Sequence, residues 1–433
     1  MTVSTGTGTP VDQTRVALGQ PLRIALLHGR GDGSRRTVAH LALASAAEIV
    51  ASVRASDSRH FVAAAQALRE ARPEVVVVHA DAKDEAPLAE LLEALRLGCA
   101  AQQPAPRILA LVETRLGEAL RRRAYPFEFE RFADAPALVG TLRALRRAGS
   151  DDVVLRDALI EDGARSLAAT TATTALAVDV SDRSTSLVLA HPDGQIEAAH
   201  LVPLGVGEGA DHIVARAGLD NVRRWLPWPI DAPALLERVW SRVRWPAAPS
   251  LTEAAILFEM ALAREAIAHA LRDAAEAGLD VGAMRSAPAI LITGRAASFP
   301  RGSQSLLVVA DGLEPTGVST VFREPDEGRA ERIAMIVSVT LKRAAKVRFM
   351  RAAGRSEARV VPGSFGFVAI AGDVDVAVNG PGVRGHGRSG ALGVLIDARG
   401  RPLSLPARDS ERIPAVSGWH EAVGATAAAR GTS

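Results

Sequence analysis

Between Leu22 and Val112 short apolar runs alternate with helix-length stretches, and this alternation constrains the fold more than any other feature. The runs Leu22–Leu27, Ile49–Val53, Val75–His79 and Ile108–Val112 read as strands buried on both faces. Thr37–Ala47, His60–Ala71 and Ala86–Leu97, then Arg115–Arg123 and Ala135–Arg147, read as helices, with Gly98 as a C-cap. Strands joined by helices of this length build βαβ units and a mostly parallel sheet covered on both sides. An N-terminal α/β domain over 21–149 is expected, behind a Thr/Gly/Ser-rich stretch (1–20) expected to be flexible.

The pattern changes near Ala175. Ala175–Val180, Thr185–Ala190 and Ile196–Val202 read as an antiparallel meander, with His191-Pro-Asp-Gly194 as a hairpin turn. A long helix over Leu251–Ala277 follows, with Ser250 and Glu253 as its capping box and Gly278 as its stop. Ile290–Thr293 and Leu306–Ala310 read as further strands, and Glu331–Met350 as an amphipathic helix. Arg343, Lys346, Arg348 and Arg351 would then crowd that helix's end on a solvated face. After Gly354, alternating apolar and polar residues with frequent glycine predict a small β domain over 353–424, ahead of a flexible tail (425–433).

Composition narrows the function. Of 433 residues 48% are hydrophobic and 23% charged, enough apolar material for packed cores. The formal charge is only +2, and no basic block interleaved with aromatics occurs, which argues against nucleic acid as partner. Cys99 is the only cysteine, so intrachain disulfides and cysteine metal sites are excluded. The longest apolar runs fall well short of a bilayer span, and the N-terminus lacks the pattern of a signal peptide, so a cytoplasmic protein is expected.

Several local motifs admit two readings. His28-Gly-Arg-Gly-Asp-Gly33-Ser-Arg-Arg36 follows a strand and precedes a helix, which suits an anion site; a turn capped by Ser34 is the plainer reading. His79 with Asp81, Asp84 and Glu85 resembles a set of metal ligands, but a solvated loop is the better reading. Walker-type lysine, HExxH, Gly-x-Ser-x-Gly and Asp-x-His-x-x-Gly motifs are absent, so no metal site is assigned and the chain should not hold cobalamin itself. Trp225, Trp228, Trp240 and Trp245 cluster before the long helix. Packing beneath it would explain most of them, whereas exposed members would mark a protein-binding surface.

Two blocks carry a family resemblance. Residues 209–271, from Gly209-Ala-Asp through Trp225-Leu-Pro-Trp-Pro-Ile-Asp231 to Ala261-Leu-Ala-Arg-Glu-Ala266, and residues 389–406, Ser389-Gly-Ala-Leu-Gly-Val-Leu-Ile-Asp-Ala-Arg-Gly400, resemble the L accessory proteins of glutamate (methylaspartate) mutase. Residues 291–322 resemble that family's second glycine-rich segment. The resemblance is close over the second half and loose over the first. It implies an actin-like (ribonuclease-H-like) fold of the superfamily that includes heat-shock chaperones and sugar kinases, here over 150–352. It also implies action on a partner protein, an adenosylcobalamin-dependent mutase.

In such folds glycine-rich hairpins clasp nucleotide phosphates, and a carboxylate and hydroxyls serve the Mg²⁺ shell. On that pattern Asp179, Ser184, Thr185 and Gly294 would line ATP and Mg²⁺. The chain departs from it. Both glycines of the phosphate hairpin are missing from Asp179-Val-Ser-Asp182-Arg183-Ser-Thr185, the paired glycines of the other loop read Gly294-Arg295, and the N-terminal phosphate loop has no counterpart. Asp182 beside a phosphate would cost on the order of 1 kcal/mol or more from like-charge repulsion. The expectation is therefore an accessory or chaperone-like pseudo-ATPase with no certain cofactor. An active ATPase that reactivates the mutase and a scaffold unconnected with mutases are the alternatives.

Overall fold

The computed structural model describes residues 15–17, 21–55, 61–147, 153–325, 330–352, 354–370, 372–378 and 383–426. Most of the two expected tails lies outside these residues. Strand β1 (Arg15–Ala17) pairs in parallel with Val153–Leu155, which leads into the second half of the chain.

The N-terminal domain runs β2 (Arg23–His28), α1 (Asp32–Ala44), β3 (Glu48–Arg54), α2 (Phe61–Ala71), β4 (Val75–His79), α3 (Glu85–Gly98), β5 (Arg107–Leu111), α4 (Thr114–Arg123), β6 (Phe129–Phe132) and α5 (Ala135–Arg147). Its five strands are all parallel in the order β3-β2-β4-β5-β6, as the alternation predicts. β4 is Val-Val-Val-Val-His, with side chains entering a core on each face of the sheet. Gly98 is the last residue of α3 and not its cap. A Cβ there would lie 2.5 Å from the Ala65 carbonyl oxygen, so glycine lets α3 lie close against α2. Ser34 likewise falls inside α1, whose N-cap is Gly31.

The second part runs β7 (Val153–Leu155), α6 (Arg156–Thr171), β8 (Ala175–Val180), β9 (Thr185–Ala190), β10 (Ile196–Leu201), α7 (Ala210–Ala217), α8 (Leu219–Arg223), α9 (Ala232–Arg244), α10 (Glu253–Glu276), α11 (Val281–Arg285), β11 (Ala289–Gly294), α12 (Gly302–Gly312), β12 (Gly317–Arg323) and β13 (Glu331–Ser338). β8, β9 and β10 form the expected meander, and β11 then joins the far side of β8 in parallel. The cap of α10 is Thr252, whose hydroxyl accepts from the Ala255 N–H; Ser250 instead donates to Glu259.

Two expected elements are corrected. Leu306–Ala310 lies inside the buried helix α12, because a short all-apolar run fits a fully buried helix as well as a strand. Glu331–Met350 is not a helix but β13 and the start of β14 (Ala345–Arg351). In β14 Ala345, Val347 and Phe349 are buried while Lys346 and Met350 are exposed, a period of two. Lys346 and Arg348 therefore stand on a sheet face, where both pair with Glu357.

The chain ends with β15 (Gly354–Val360), β16 (Phe365–Val368), β17 (Gly372–Val378), β18 (Arg384–Ser389), β19 (Val394–Asp397) and α13 (Asp409–Ala422). β15-β14-β17-β18 make a four-stranded antiparallel sheet. β16 and β19, expected in the small domain, instead extend the large sheet to β10-β9-β8-β11-β12-β13-β19-β16. Helix α13 was not expected from the sequence. After it Ala425 is fully buried, and its carbonyl accepts from Gln304.

Two ionic networks lock these parts together. Beneath α13, Arg264 pairs with Asp311 at 2.8 Å, and Arg399 bridges Asp311 and Asp397. Arg399 also lies between the rings of Phe365 and Trp419. Burial pushes the Asp397 carboxyl up, but hydrogen bonds and charge from Arg399 and Arg401 outweigh it and hold it below the usual carboxylate range. The second network joins the N-terminal domain to α6. Arg143 bonds both the Ala44 carbonyl and Glu161, and Arg146 bonds the Ser45 carbonyl and Asp157. Glu161 also meets His200, which reaches Ser186 at 2.9 Å.

Candidate functional site

Parallel pairing of β8 and β11 sets Thr293 beside Asp179 and Gly294 beside Val180 at the C-terminal edge of the sheet. Ligands of α/β sheets are usually held at this edge. Asp179 is fully buried, and the first residue of α6 closes over it. Arg156 Nη2 is 2.5 Å from Asp179 Oδ1 and Nε is 3.2 Å from Oδ2, a two-point ion pair, while Thr293 donates to Oδ1 at 2.7 Å. Gly294 has φ +70, and a Cβ there would sit 2.5 Å from the Val180 carbonyl oxygen and 2.7 Å from Asp179 Oδ1. Glycine is required there by both conformation and space.

Asp179 and Gly294 thus meet at one point. Ser184 and Thr185 do not line that point. Ser184 pairs with the Ser181 hydroxyl within the β8–β9 turn, and the fully buried Thr185 donates to the Leu204 carbonyl. The sequence reading missed Arg156, Thr293 and Glu259. Only Thr293, next to Gly294, carried a signal.

The turn itself is closed. The Ser181 N–H donates to the Ser184 carbonyl, and the N–H groups of Arg183 and Ser184 both donate to Ser181 Oγ. The Asp182 carbonyl receives the N–H groups of Gly207 and Gly209. Burial pushes the Asp182 carboxyl up, partly opposed by Arg295 and Arg242. Arg295 pairs with both Asp182 and Glu259, and Arg183 pairs with Glu208.

Between this edge and α6 lies a cavity of about 320 Å³, near the small end of ligand cavities. Leu159, Ile160, Leu291 and Pro325 give it an apolar wall, and Arg156, Asp182 and Arg295 face it from the rim.

The residues do not fit a Mg²⁺–nucleotide pair. A phosphate loop needs free N–H groups, and this turn uses three of them internally. A metal shell needs a carboxylate with open lone pairs, whereas both oxygens of Asp179 face a guanidinium. Among the described residues no group of three or more His, Cys, Asp or Glu is placed to hold a metal ion. The expected solvated loop at Asp84 is also corrected: that side chain is fully buried and pairs with Arg30. Among the described residues no helix is long and apolar enough to cross a membrane.

No protein-family model matches the chain, and no curated protein matches it. The structure is similar over 70% of its length to a nucleotide-free structure of acetone carboxylase from work on ATP-dependent acetone carboxylation, with 12% identity and a TM-score of 0.23. The chain spans 56% of that protein's chain. A likeness of this size carries no argument about chemistry, which rests on the residues themselves.

Proposed function

We propose that the chain is an accessory protein that acts on a partner enzyme and keeps the frame of a nucleotide-binding lobe without its turnover. The observation that carries this reading is the Arg156–Asp179 pair, in which an internal cation takes the carboxylate that a metal would need. The strand order β10-β9-β8-β11-β12, a meander followed by parallel strands, supports an actin-like lobe. The two blocks at 209–271 and 389–406 support an adenosylcobalamin-dependent mutase as the partner, acting in the cytoplasm. Arg399 and Asp397 of the second block lie in the buried network under α13, so that block serves the fold of the lobe.

The test is a calorimetric titration of the whole chain with MgATP and MgADP, beside Arg183→Ala. No saturable heat at millimolar nucleotide is expected from either protein. Micromolar binding by the wild type would overturn the pseudo-ATPase half of the reading. Failure to co-elute with any adenosylcobalamin-dependent mutase would overturn the partner half.

A further inference from the structure

A different part of the molecule, independent of the cleft at Asp179, offers a binding surface. Strand β3 is the edge of the N-terminal sheet, and β10 is the edge of the eight-stranded sheet. Between them lies a cavity of about 620 Å³. Six consecutive residues of β3, Glu48 to Val53, line it. Side chains of a strand alternate between faces, so a cavity touched by consecutive residues runs along the strand's edge. The opposite wall is also consecutive, from His200 to Leu204.

Among the described residues no main-chain group pairs with the outer side of this edge. The Ala55 N–H donates to the His28 carbonyl on the β2 side, so alternation turns the N–H groups of Ser52 and Arg54 away from β2, and Ser52 lines the cavity. A one-residue shift of register at Val50 leaves this later part regular. None of the seven residues of β3 is fully buried. Natural edge strands are commonly blunted by lysine, proline or a bulge; Glu-Ile-Val-Ala-Ser-Val-Arg has no lysine or proline, and its one irregularity, at Val50, lies before the stretch from Ala51 to Arg54.

We propose that this slot takes an extended segment of a partner protein as an antiparallel strand added to β3. Main-chain bonds would give affinity, and the charges at the two ends of β3 would give direction. Glu48 and Arg54 bracket five uncharged residues, Ile49 to Val53, of which only Ser52 is polar. An antiparallel guest that begins with an acidic residue and ends with a basic one places opposite charges together at both ends; a parallel guest of that order places like charges together. The wall from His200 to Leu204, with His212 and Arg216 beside it, favours a single strand over the whole sheet of a second copy.

The β3 sequence itself satisfies the rule, so a labelled, end-blocked EIVASVR peptide serves as probe, titrated with the full chain and read by fluorescence anisotropy. Saturable binding is expected, at least tenfold weaker for the charge-swapped RIVASVE. Ser52→Pro removes an N–H that faces the cavity and leaves the β2 ladder intact; it should abolish binding with an unchanged melting curve, whereas Ser52→Ala should retain it. Glu48→Arg combined with Arg54→Glu should reverse the preference between the two peptides. The proposal is overturned if the wild type binds neither peptide, or if a folded Ser52→Pro binds as well as the wild type. It is also overturned if sedimentation shows a dimer that Ser52→Pro dissociates, since a second copy would then occupy the slot.

Discussion

Arg156 and Asp179 are joined at two points, 2.5 and 3.2 Å, beside the cavity between α6 and the edge of β8 and β11. The carboxylate is fully buried, and the guanidinium side chain is 24% exposed. Arg156 is also the first residue of α6, whose Asp157 and Glu161 hold the N-terminal domain. The cation in the cleft and the docking of that domain are therefore set by one helix.

Removing this cation should be costly. Arg156→Leu leaves a buried carboxylate with Thr293 as its remaining partner at Oδ1, and a loss of about 3 kcal/mol is expected. Adding Asp179→Asn should restore part of that loss, because the uncompensated charge is gone. Urea denaturation of the two single variants and the double variant measures the coupling. A coupling near zero would mean that solvent screens the pair.

The junction of the N-terminal domain with α6 should be acid-sensitive. Burial pushes the Glu161 carboxyl up, but hydrogen bonds from His200 and Arg143 and their charge outweigh it and bring its pKa to about 2, from an ordinary 4.5. A depressed carboxylate contributes stability that is fully present above its unfolded pKa and is lost as pH falls toward the folded value. The contribution, on the order of 3 kcal/mol, should therefore disappear between about pH 4.5 and pH 2. Denaturation midpoints followed over that range should fall for the wild type. Glu161→Gln should be less stable near pH 7 and should show a flatter profile in acid; an equally steep profile would place the acid sensitivity elsewhere.

The tryptophans should divide into two groups. Trp225 is 4% exposed and donates to Glu265 at 2.7 Å, whereas Trp240 and Trp245 are 58% and 61% exposed. Trp225→Ala should cost about 3–5 kcal/mol, as large core deletions do. Trp240→Ser and Trp245→Ser should change stability by less than about 0.5 kcal/mol. Thermal melts with tryptophan fluorescence separate them. A large loss from either exposed residue would assign it to the core after all, and against a binding surface.

The parallel N-terminal sheet was legible because its strands are continuous apolar runs separated by helices, a pattern that only a doubly covered sheet buries. The meander from Ala175 to Leu201 was legible through its turn at His191–Gly194, where Gly194 takes φ +86. The stretch from Glu331 to Arg351 misled because Ile-Ala-Met-Ile-Val is apolar without a clear period. Its strand state follows from pairing on both sides, with β12 just before it and with β19, far along the chain.

The sequence by itself determined which residues stand at the edge of the second sheet, since Asp179 ends one apolar run and Gly294 ends another. It also determined that the turn after Asp179, residues 181–184, lacks the glycines that let a phosphate approach. What faces that edge was decided only by tertiary structure. Arg156 reaches Asp179 because α6 crosses the sheet, and no local pattern in Arg156–Thr171 encodes that crossing. The slot beside β3 likewise arises where two sheets present their edges to each other. Propensity and periodicity act over a few residues along the chain, whereas ion pairs and unpaired edges depend on how separately folded layers pack.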